Sequence, residues 1–129
     1  MLLTIRESQM KTLRLSVERR FKAKLRRHAM MYFPETAAEL GDDLPEAIIH
    51  AVKRARQYGF DGEREICRYL NLEFRFGRNY DADPNCQWAR DLLRSSLPGP
   101  PRMQQLYELA VRHEPAARGY FAQLRSSNE

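Results

Sequence analysis

Apolar residues recur along this chain at three- and four-residue intervals almost throughout, the period of helices with one buried face. The densest stretch runs from Glu63 to Trp88. On a helical wheel Ile66, Cys67, Leu70 and Phe74 gather on one side, and Tyr69, Leu72 and Phe76 on the adjoining side. Only a narrow face remains for water, and it carries Arg64, Arg68, Asn71, Arg75 and Arg78. The pattern predicts a central, mostly buried helix over about residues 62–76, capped by Asp61 and closed by Gly77. Asp83-Pro84 then starts the next helix, with Trp88, Leu92 and Leu93 inward, and Asp81 orders the turn against Arg78.

The other elements follow from the same reading. Thr4-x-x-Glu7 has the form of a capping box, and a long helix over about 6–32 is predicted to end at Phe33-Pro34. Its apolar arc holds Met10, Leu13, Val17, Phe21, Leu25, His28, Ala29 and Tyr32, and its outer face holds Arg19, Arg20, Lys22, Arg26 and Arg27. A short helix reaches Gly41, and a helix opening at Asp43-x-x-Glu46 buries Leu44, Ile48, Ala51, Val52 and Ala55. Tyr58-Gly59-Phe60 reads as its glycine-terminated end. Residues 95–101, rich in Ser, Pro and Gly, read as a mobile loop before a helix over 102–113. A last helix over 116–124 brings Tyr120, Phe121 and Leu124 together, and 125–129 is expected to fray.

No stretch alternates with a period of two. The expected fold is all-α: a single compact irregular bundle of about six to seven helices, one domain over residues 1–129. Phe21, Leu25, Ile48, Val52, Ile66, Leu70, Phe74, Trp88, Leu106 and Phe121 are its expected core.

Charge changes the picture at one end. The net charge is +5, yet residues 1–34 hold nine Lys and Arg against two Glu while the rest hold 13 against 15. An electrostatic partner is therefore expected to meet the first helix. No run is apolar enough to span a bilayer, and the first residues turn charged too early for a signal peptide, so a cytoplasmic location is expected unless a dedicated system exports the protein. Cys67 and Cys86, without metal-type spacing, read as reduced buried thiols.

Catalytic and metal signatures are sparse. Asp81, Asp83 and Asn85 alternate like the first ligands of an EF-hand, but Cys86 and Leu92 occupy the positions that need Gly and Glu. His28, His50 and His113 fall on three different helices, and Glu63 and Glu65 point away from each other. There is no phosphate loop and no nucleophile elbow. No catalytic residue, metal or cofactor is assigned. A nucleic-acid role would rest on the basic first helix alone, since no recognised binding module accompanies it.

The string YGFDGEREICRYLNLEFRFGRNYDADPNCQWA over residues 58–89, with FKAKLRRHAMMYFP over 21–34 and Gln9-Met10 before it, resembles a family of small helical proteobacterial proteins. These are similar to accessory proteins encoded beside type VI secretion spike and effector genes. The resemblance implies a non-enzymatic adaptor, chaperone or immunity-type partner of a secreted effector, toxin or spike component. The residues themselves leave two alternatives, a nucleic-acid binder using the first helix and a small enzyme. The expected contact residues are the two basic stripes, Arg64, Arg68, Arg75, Arg78 and Arg19, Arg20, Lys22, Arg26, Arg27, gripping an acidic protein partner.

Overall fold

The structure, a computed structural model, describes residues 2–113, and every described element is helical. In chain order these are α1 (Leu2–Tyr32), α2 (Pro34–Leu40), α3 (Leu44–Gln57), α4 (Glu63–Phe76), α5 (Gln87–Leu93) and α6 (Gly99–His113). Short 3-10 turns occupy Gly41–Asp43, Tyr80–Ala82 and Pro84–Cys86. The fold is all-α, as the periodicity predicts. The expected helix over 116–124, the core position of Phe121 and the fraying of 125–129 lie outside the described residues.

The chain divides into two compact units, Met1–Ile49 and His50–Glu129, a finer division than the one domain expected from length. Their boundary falls inside α3.

In the first unit α1 packs on α2. The stop at Phe33-Pro34 is as expected: Phe33 N–H still bonds Ala29 O at 2.8 Å, and Pro34 opens α2, where its missing N–H costs nothing. Phe21, Leu25, Ala29, Phe33, Ala37, Leu44, Ala47 and Ile48 are buried. The apolar arc expected along all of α1 is buried only from Phe21 onward. Met10, Leu13 and Val17 are 52%, 53% and 44% exposed, because every residue from 6 to 15 faces solvent on that stretch of helix. Helix α1 also begins at Leu2, so Thr4-x-x-Glu7 lies within it.

The second unit is built around α4, which packs on α6 and on the Tyr80–Ala82 turn, while α5 packs on α6 and on that same turn. Helix α3 enters it through the buried Ala51, Val52 and Ala55 and ends in a Schellman motif. Phe60 N–H reaches back to Ala55 O and Gly59 N–H to Arg56 O, both at 3.0 Å. Gly59, at φ +89°, makes the left-handed step, and Phe60 is wholly buried behind it. Gly77, at φ +114°, closes α4, its N–H bonded to Glu73 O at 2.8 Å.

Local punctuation differs from expectation in three places. The N-cap of α4 is Gly62, through its backbone carbonyl, and the Asp61 side chain makes no cap. The helix expected from Pro84 is split into a 3-10 turn and α5, although Asp83 does cap it by accepting from Asn85 N–H at 2.9 Å. Gly99, Pro100 and Pro101 belong to α6, whose first turn tolerates proline because those N–H groups have no intrahelical acceptor. Phe74 and Trp88, expected in the core, are half-buried, while Ile66, Leu70 and Leu106 are buried as expected.

Candidate functional site

Two helices and one turn of the second unit bring a polar knot into its interior. Arg54 and Tyr58 stand four residues apart near the end of α3, and Tyr69 and Glu73 four apart on α4, so each pair shares one helix face. Tyr80 and Asp81 come from the turn after Gly77. The Asp81 side chain turns inward, where its Oδ2 accepts from the Arg54 guanidinium and from the Tyr58 hydroxyl, the latter at 2.5 Å. Arg54 also lies over the Tyr58 ring, 5.7 Å from its centroid. The Tyr69 ring packs 6.0 Å from Tyr58 and 5.7 Å from Tyr80, walling off the carboxylates.

Glu73 and Asp81 are both 4% exposed, and Tyr69 and Tyr80 are fully buried. Two acids thus share one buried region beside the Arg54 guanidinium, and among the described residues Glu73 Oε1 makes no hydrogen bond. Burial, and then the neighbouring Asp81, push the Glu73 carboxyl up to about 8, against the pull of Arg54 and Arg78. Glu73 is therefore mostly neutral at pH 7. Burial and donation to Asp81 push Tyr58 up to about 12, and burial drives Tyr69 and Tyr80 upward as well. Burial works against the charge of Arg54, but Asp81 and the phenols outweigh it and raise its pKa. With its acids withdrawn from the surface, the knot acts as a tie between α3, α4 and the Tyr80–Ala82 turn.

Two further arginines are structural. Arg102, 7% exposed, donates to Leu93 O at 2.8 Å and to Tyr58 O, and lies 4.4 Å over the Phe60 ring. Arg90 donates to Asp81 O at 3.3 Å and to Ala82 O at 2.8 Å, so α5 holds the carbonyls of the turn.

The expected water-facing stripe of α4 is overturned in its middle. Arg68 is 3% exposed and Asn71 fully buried, because α6 covers this face. Asn71 Nδ2 donates to the Tyr107 hydroxyl at 2.8 Å, and Arg68 stacks 5.3 Å over the Tyr107 ring. Arg64, Arg75 and Arg78 are exposed yet already engaged in interactions within the chain. On α1, Arg19, Arg20, Arg26 and Arg27 are exposed and Lys22 is half-buried, and no such interaction involves them among the described residues.

In the sequence Arg54 is not assigned to a site, and Asp81 is expected to meet Arg78. The clue was the four-residue spacing of Arg54 and Tyr58 at the edge of a buried stripe. Asp81 and Asp83 diverge, one inward to Arg54 and one to the Asn85 N–H, instead of converging as calcium ligands do. Among the described residues no three His, Cys, Asp or Glu gather as a metal site. Cys86 is buried and Cys67 half-buried, both as thiols. No helix of the described chain is long and apolar enough to cross a membrane. No family model, curated protein or solved structure matches the chain.

Proposed function

We propose that the protein is a non-enzymatic binding module that grips an acidic protein partner through α1. The observation that carries this is the contrast between its two basic stripes. The α4 stripe is interrupted by the burial of Arg68, and its other arginines are engaged within the chain. The α1 row Arg19, Arg20, Arg26 and Arg27 stands exposed on one helix, and guanidinium groups can grip carboxylates bidentately. The resemblance to accessory proteins of type VI secretion points to a secreted effector, toxin or spike component as the partner, with this chain as adaptor, chaperone or immunity protein.

The test is charge reversal at Arg19 and Arg20, and separately at Arg26 and Arg27, measured on the protein co-purifying from the native host. These residues are exposed, so the melting temperature is expected to hold while partner recovery falls. Full recovery with both double variants refutes the assignment. The same exposed row supports a second reading, phosphate binding. Retention on random duplex DNA that falls steeply with salt, with no protein partner recovered, would favour it.

A further inference from the structure

The geometry points to a narrower partner than an acidic protein in general: the first half of α1, residues 6–17, is a seat for an amphipathic helix with an apolar ridge and acidic flanks. This rests on the protein-binding reading above and specifies which element of the partner docks, and where.

Every residue from Arg6 to Leu15 is exposed, so this part of the helix has little packing of its own to hold it. It is the unpacked continuation of a 31-residue helix, so tertiary packing adds little to its stability. It nevertheless carries large apolar side chains. Met10, Leu13 and Val17 follow one another at three- and four-residue spacing, the ridge of a helix–helix seam, and remain about half exposed at 52%, 53% and 44%. Further along the helix the row passes into buried Phe21 and Leu25, so the exposed ridge continues a surface the fold already uses for packing.

Charge selects the occupant. Arg6, Arg14 and Arg20 border the ridge, and over residues 6–20 five Lys and Arg stand against Glu7 and Glu18. A second copy of this helix fits badly. Parallel pairing sets Arg6 against Arg6 and Arg20 against Arg20 at the ends of the seam, and antiparallel pairing about Leu13 sets Arg6 against Arg20. A bilayer surface fits badly too, since it rewards a broad apolar face and this ridge is one residue wide with guanidiniums close beside it. A helix whose Leu or Ile ridge meshes with Met10, Leu13 and Val17, and whose flanking Asp or Glu meet Arg6, Arg14 and Arg20, satisfies both features.

The experiment uses the full chain and two synthetic helical peptides with the same leucine ridge, one flanked by glutamates and one by lysines, titrated by calorimetry. The acidic peptide is expected to bind at least about tenfold more tightly than the basic one. The pair Leu13→Ser and Val17→Ser is expected to lose about tenfold or more, with the melting temperature unchanged because both residues are exposed. Arg14→Glu with Arg20→Glu is expected to lose as much. Hydrogen exchange over residues 6–17 should slow when the acidic peptide binds. Equal affinity for the two peptides, or none, overturns the inference, as does binding of phosphatidylglycerol vesicles without peptide binding, or a dimer in light scattering that the serine pair abolishes. If the serine pair keeps the native partner while the Arg19/Arg20 or Arg26/Arg27 reversal loses it, the binding reading stands and this inference falls. If neither loses it, both fall.

Discussion

The Tyr58 hydroxyl donates to Asp81 Oδ2 at 2.5 Å, joining the glycine-terminated end of α3 to the turn that follows α4. Arg54 meets the same oxygen, so one buried carboxylate holds a side chain of α3 and one just beyond its end against that turn. Replacing Asp81 by Ala strands the Tyr58 hydroxyl and removes the counter-charge of Arg54. Arg54 is about a third exposed and recovers part of its solvation, so the expected cost is about 2–3 kcal/mol, read as a lower midpoint in urea. Tyr58→Phe, which removes a single bond, should cost about 1 kcal/mol. An Asp81→Ala midpoint equal to wild type would show that the knot does not tie the fold.

Glu73 makes stability depend on pH in an unusual direction for a carboxylate. Its pKa rises from the ordinary 4.5 to about 8 on folding, so between those values the folded chain keeps a proton that the unfolded chain has released. Stability from this group is therefore greatest below pH 4.5, declines as pH rises to about 8, and levels off beyond, by a few kcal/mol in all. Glu73→Gln keeps the neutral form at every pH. It is expected to flatten the fall in melting temperature between pH 5 and pH 8 and to be the more stable protein at pH 9. The 13C shift of the Glu73 carboxyl carbon, titrating near the ordinary value in the folded chain, would sink this account.

Tyr107 is the anchor on α6 for the covered face of α4. Its hydroxyl accepts from Asn71 Nδ2 at 2.8 Å in a fully buried setting. Tyr107→Phe takes away that acceptor together with the hydroxyl's own donation to Arg68 O at 3.4 Å and is expected to cost about 1–3 kcal/mol, whereas adding Asn71→Leu should recover part of the loss, since an apolar pair replaces the amide and hydroxyl. A double-mutant cycle by thermal melts measures the coupling, and simple additivity would show that the bond contributes nothing.

Trp88 is half-buried instead of enclosed. It meets Phe76 edge-on at 5.4 Å and lies parallel to His113 at 4.9 Å, a ring that is itself exposed. His113→Ala should uncover one face of the indole, shifting its emission to longer wavelength with a change in stability of less than about 1 kcal/mol. An unshifted spectrum would mean that His113 does not shield it.

The helices themselves were written into the local pattern. Periodicity placed α3 and α4, Phe33-Pro34 ended α1 and Gly77 ended α4, because these depend on residues within a turn of one another. The Schellman end at Gly59 was legible for the same reason, since only glycine readily takes its left-handed step. Which faces meet water was not local. Arg68 and Asn71 share a polar stripe with Arg64 and Arg75, yet α6 covers the first two and leaves the others exposed, and Tyr107, thirty-six residues beyond Asn71, decides it. Met10, Leu13 and Val17 continue the row of Phe21 and Leu25 in sequence, but packing begins only at Phe21. Asp81 had a candidate partner in Arg78 nearby, and tertiary packing sent it instead to Arg54 of α3 and to Tyr58 just beyond that helix. Sequence period determines that a face exists. Only the approach of another segment determines whether that face, and each charge on it, is dry.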